Sequence, residues 1–172
     1  MHKTTKKLVS FFSLSSVVCM LLAYSVALAG TSAMVSATVT VQNISLSITD
    51  GSVAYGTLGS NNTGSTCTSE LNDAQIITND GNVPETFNIK GVNTDNWTLA
   101  ATTDVDQYIH QFRSGACSSF SSGTALTTSD QTLATNVATG ATTTLNLQIT
   151  TPNPSTVFTQ QSPNVTLTAI AY

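Results

Sequence analysis

From Ala33 onward, apolar residues recur at every second position in short runs, and Gly, Pro, Asn and Asp separate the runs. A period of two places alternate side chains on opposite faces of an extended chain, so each run reads as a strand with one buried and one solvated face. Strands of this kind need neighbours in a sheet and a second sheet over the apolar face. The clearest are residues 83–90, where Phe87 and Ile89 share a face, and residues 143–150, with Leu145, Leu147 and Ile149 on one side. Residues 164–172 carry Val165, Leu167 and Ala169 in the same way, and residues 53–55, 74–78, 97–99 and 108–113 add shorter runs. Trp97 and Leu99 alternate correctly, so both are expected to point inward. Residues 30–172 hold 29 threonines and 16 serines, and β-branched threonine suits the solvated face of a sheet. The expectation is an all-β chain folded as an antiparallel β-sandwich, Ig-like or jelly-roll-like, of seven to nine short strands.

Two stretches are less simple. Asp80-Gly81, inside residues 79–82, predicts a tight hairpin in which glycine supplies the positive φ angle. Residues 126–140 are ambiguous, with Leu133 and Val137 at helical spacing in a stretch rich in Thr, a poor helix former.

The N-terminal run carries a further constraint. Val35, Ala37, Val39 and Val41 occupy odd positions, whereas Ile44, Leu46 and Ile48 occupy even ones. A slip of one residue at Gln42-Asn43 exchanges the two faces, so the run contains a bulge or is divided between different sheets. The chain is accordingly divided into residues 30–42, an extended segment and candidate donor strand built on Val35, Ala37, Val39 and Val41, and residues 43–172, a single sandwich domain.

Before that segment stands an export signal. Lys3, Lys6 and Lys7 precede an uncharged apolar stretch over residues 8–26, and Ala27-Leu28-Ala29 offers small side chains at a cleavage site before Gly30. Residues 1–29 are thus expected to be a secretory signal peptide, and the remainder to be secreted or held at the cell surface without stable membrane insertion. An uncleaved anchor is the alternative, since residues 8–29 are long enough to span a bilayer, although five serines dilute their apolarity. Cleavage removes Cys19 and leaves Cys67 and Cys117, which are expected to pair in an oxidising compartment.

Charge then excludes partners. Residues 30–172 contain two cations, Lys90 and Arg113, against nine carboxylates, a formal charge of −7. Nucleic acid is excluded, because phosphate binding needs a cluster of Lys and Arg. Asp104 and Asp106, near His110, are the only candidate Ca²⁺ ligands. They offer two carboxylates where the ion takes six to eight oxygens, so a solvated loop is the expectation, with no cofactor. With His110 alone after the leader, and neither a nucleophile elbow nor a zinc-binding helix motif, the chain is not expected to be an enzyme. Lys90, the one lysine left, is read as protection for a strand edge rather than as a partner in an amide cross-link.

Residues 79–91 (NDGNVPETFNIKG), 96–100 (NWTLA), 146–152 (NLQITTP) and 164–169 (NVTLTA) resemble stretches of uncharacterised exported proteins of environmental microbes. More distantly, the layout is similar to fibre-forming β-sandwich subunits: chaperone-usher pilins, camelysin-type biofilm fibre proteins and archaeal bundling-pilus subunits. The chain departs from the pilin pattern in ending on Tyr172, where pilins have a penultimate aromatic, and in carrying Cys67 and Cys117 in unlike loops. The resemblance implies a secreted or surface structural protein, a subunit of an extracellular fibre, pilus or matrix, joined by strand donation to other copies of itself or to surface components. The competing expectation is a monomeric binding or adhesion module for a glycan or a surface protein, with the loops near Cys67 and Cys117 as its contact face.

Overall fold

A computed structural model describes residues 32–172; the expected leader, with the expected cleavage residues Ala27, Ala29 and Gly30, lies outside them. The chain divides between Val39 and Thr40 into two units, and every strand among the described residues belongs to the second. The described residues contain ten strands and no helix: β1 (Leu46–Ile48), β2 (Thr63–Ser65), β3 (Gln75–Asn79), β4 (Glu85–Gly91), β5 (Thr98–Leu99), β6 (Gln107–Ser114), β7 (Thr124–Ala125), β8 (Gln131–Val137), β9 (Thr142–Thr150) and β10 (Val165–Ala171). The count exceeds the expected seven to nine because β2 and β7, fragments of two or three residues, are too short to stand out as alternation.

The strands form two sheets. The larger has the order β1-β3-β9-β6-β5, with β2 beside β9 and β7 beside β6; the smaller has three strands in the order β10-β4-β8. All pairs are antiparallel except β5 with β6, which is parallel. Alternation decides which side chains meet between the layers. Ile77, Phe112, Leu145 and Leu147 from the larger sheet pack with Phe87, Ile89, Leu133 and Val137 from the smaller in one buried cluster. Two apolar faces covering each other in this way constitute a sandwich.

The structure corrects the hairpin expected at residues 79–82. β3 pairs with β1 and β9, whereas β4 pairs with β10 and β8, so the turn carries the chain from one sheet to the other. Nor is Gly81 among the residues with positive φ. Glycine is needed there for closeness, since a Cβ would collide with Glu85 Oε1 and the Asn43 carbonyl.

Residues 131–137 form strand β8, and their helical spacing has a physical origin. The β4–β8 register shifts on either side of Phe87, which pairs with Ala134, and Asn136 takes a φ of 53°. Extra residues in a bulged strand break the period of two and imitate a longer one. Residues 53–55, expected as a short strand, form none, although Val53 and Tyr55 still pack against the core. The slip at Gln42-Asn43 is resolved as neither a bulge nor a second strand: residues 32–45 belong to no strand, although Asn43 and Ser45 bond to the turn at residues 80–82, and strand pairing begins at Leu46.

Candidate functional site

The segment singled out by its alternation is exposed throughout residues 32–44: Val35 is 88% accessible, Val39 91% and Val41 81%. Nine residues of β-branched and apolar alternation left in water are costly unless they are covered part of the time.

Its root, by contrast, is fixed. Asn82 Nδ2 donates to the Val41 carbonyl at 2.8 Å, Asn82 Oδ1 accepts the Asn43 N–H at 2.8 Å, and the Asn82 N–H donates to the Asn43 carbonyl at 3.1 Å. Behind it, the Ser45 N–H donates to Oε1 of the fully buried Glu85 at 2.9 Å, and the Asp80 N–H donates to the Ser45 carbonyl at 2.9 Å. Asn79 holds the turn from inside, accepting the Gly81 N–H and donating to the Val83 and Val137 carbonyls. The sheet-switching turn therefore doubles as the clamp on the N-terminal segment. Gly81→Ala forces a methyl against that clamp, and urea denaturation is expected to record a loss of about 2 kcal/mol, in the range of other overpacked sites.

A cavity of about 1030 Å³ opens between the sheets on the β10 side. Leu145, Leu147 and Ile149 of β9 line one wall, Val165 and Leu167 of β10 the other, and Trp97 also contributes to the lining. Trp97, expected inside, is half-buried, with Nε1 donating to Ser155 Oγ at 3.2 Å. Tyr55 and His110 also line the cavity, meeting edge to face with 3.0 Å between the Tyr55 hydroxyl and His110 Nε2. His110 Nδ1 is buried and finds no partner among the described residues. Burial pushes the imidazole down to about 4, so the ring is neutral near pH 7. Burial, aided by the charge of Asp73, holds the Tyr55 phenol well above its usual range. The pairing of residues 55 and 110 has no local sequence signal.

Neither a family model, a curated protein nor a solved structure matches the chain.

The remaining candidates are distributed elsewhere. Cys67 and Cys117 are joined, with their Cα atoms 5.4 Å apart, and the bond links the segments after β2 and β6, which flank β9 and both bond to its Asn146. Asn146 points outward from β9 yet is 1% accessible, with Nδ2 donating to the Gly115 carbonyl at 2.8 Å. A disulfide of this kind fits an oxidising compartment. No helix among the described residues is long and apolar enough to cross a membrane.

Asp104 and Asp106 do not converge. Asp104 Oδ1 accepts the Val105 N–H, while the Asp106 carboxylate accepts the Thr156 hydroxyl and N–H and the Ser155 hydroxyl. The Thr156 bonds lead in holding the Asp106 carboxyl below the usual carboxylate range. Asp106 thus ties the loop after β9 to the start of β6, and no group of three or more His, Cys, Asp or Glu with metal-binding geometry occurs among the described residues. Lys90 lies on the outer face of β4, with Nζ 3.4 Å from Asp130 on a half-exposed surface.

Proposed function

We propose that the chain is a secreted or cell-surface structural subunit that joins to other copies of itself in a fibre or matrix by donating residues 30–41 as a strand. The observation that carries this reading is the contrast between an exposed, alternating segment and the clamp at its base. Val35, Ala37, Val39 and Val41 form one face of a ready strand, and Asn82 anchors the backbone where that strand would leave the domain. Strand addition uses main-chain hydrogen bonds for affinity and alternate side-chain pockets for specificity, and such a segment offers both.

Deleting residues 30–41 from the exported chain is expected to leave a folded, soluble monomer, while negative-stain microscopy of the native exported material shows polymers. Polymers that persist after the deletion refute strand donation. A monomeric module binding a glycan or surface protein through the loops at Cys67 and Cys117 predicts the reverse: no polymers, and a glycan-array signal that survives the deletion.

A further inference from the structure

We propose that the free edge of β10, together with the cavity beneath it, is the acceptor for residues 33–41 of a second copy of the chain. The proposal rests on the reading above and names the other half of the joint.

The backbone defines the edge. Register pairs Val165 with Gly91 and continues to Ala171 with Glu85, and beyond it the Tyr172 N–H donates to the Pro84 carbonyl at 3.0 Å. Hydrogen-bonded pairs alternate along an antiparallel ladder, so Thr166, Thr168 and Ile170 exchange their bonds with β4. The N–H and C=O groups of Val165, Leu167, Ala169 and Ala171 therefore point the other way, where no strand pairs with them among the described residues. An open edge of this kind is a template for another chain.

Three of these four residues face the interior. Val165, Leu167 and Ala169 pack against the core, and the first two form a wall of the cavity opposite Leu145, Leu147 and Ile149. A strand laid beside β10 would take up the unpaired backbone groups with its own, and every second side chain would turn inward, those beside Val165 and Leu167 into the cavity. The smaller sheet has only three strands, and the addition would make a fourth.

Residues 33–41 match that vacancy. At about 3.3 Å per residue they span about 30 Å, enough to cover the roughly 23 Å of β10. With Val35, Ala37, Val39 and Val41 turned inward, Ser36, Thr38 and Thr40 face solvent beside Thr166 and Thr168. A second copy is the occupant because the chain's own segment would have to reverse at Val41, where Asn82 holds both the Val41 carbonyl and the Asn43 N–H.

The test places the photoreactive residue p-benzoylphenylalanine at Thr38 in the full chain, exported as usual. Irradiation is expected to give a ladder of covalent dimers and higher species on denaturing gels, with mass spectrometry mapping the link to residues 165–171. Crosslinks confined to the monomer overturn the proposal in favour of capture by the chain's own edge. Links between copies that map to β8 or β1, in material that polymerises, overturn the acceptor but leave strand donation standing. Absence of both polymers and intermolecular links overturns both. Ala169→Pro provides a second measurement, because it removes an N–H directed at the free edge and none that bonds β4. Folded Ala169→Pro protein is expected to remain monomeric, and normal polymerisation by it would refute the proposal.

Discussion

Treated with a reductant under otherwise native conditions, the protein is expected to lose about 4 kcal/mol of stability, a shift of about 2 M in its urea midpoint. The magnitude follows from the loop that the Cys67–Cys117 bond closes, since a separation of 50 residues leaves the unfolded chain much freer once the bond is gone. Native contacts add to the effect. The Thr68 and Ser69 N–H groups donate to the Cys117 and Ser118 carbonyls at 3.4 and 3.2 Å, long bonds that depend on the two loops being held together. Beside them, Asn146 of β9 and Thr66 are buried, with the Thr66 hydroxyl bonded to both Asn146 and the Leu147 N–H, and loosening the two loops exposes this network to water. Cys67→Ser/Cys117→Ser should reproduce the reduced midpoint. A midpoint unchanged by reduction would mean that the link between the two loops contributes nothing to stability.

The second large effect is on pH. His110 titrates at about 4 in the folded protein against about 6.5 when exposed, so the unfolded chain binds a proton that the folded one refuses throughout that interval. Stability rises with pH wherever the unfolded state binds more protons. It should therefore fall as the solution is acidified from about 6.5 to about 4, by about 3 kcal/mol in all. The depressed carboxyl of Asp106 acts in a lower window: its contribution is present above the ordinary carboxylate range and is lost as pH falls through its folded value. Tyr55→Phe/His110→Phe removes the imidazole and its hydroxyl partner together, leaving no orphaned polar group between them. Urea midpoints of this variant should be nearly flat between pH 6.5 and 4. A slope equal to that of the wild type would place the titrating group elsewhere.

Much of the fold is legible because one face of each long strand is buried. β4, β6, β9 and β10 all appear in the alternation of their residues, and Leu145 and Leu147 lie in the core as their spacing implies. The cysteine pair was accessible to redox arithmetic alone. Legibility fails where the outcome depends on what a strand meets. Asp80-Gly81 has the composition of a hairpin, but whether β3 and β4 pair is decided by β9 and β10, far along the chain. The bulged β8 lost its period of two, and so Leu133 and Val137 imitated a helix. The anchoring role of Asn82 and Glu85 was hidden for the same reason, since their partners lie about 40 residues away. The Tyr55–His110 pair and the open edge of β10 arise only from the closed sandwich.

The change of sheet at residues 79–82 has a kinetic consequence. None of β1, β2, β3 or β4 pairs with a sequence neighbour, and β4 must find β8 and β10 far along the chain. Most pairing must therefore wait for long loops to close, which places folding in the range of milliseconds to seconds typical of non-local β topologies. During that interval the edges of both sheets and the alternating run at residues 33–41 are open to any other chain. The speed at which the sandwich closes, more than its final strength, sets how concentrated the unfolded chain can be before it pairs at the wrong edge.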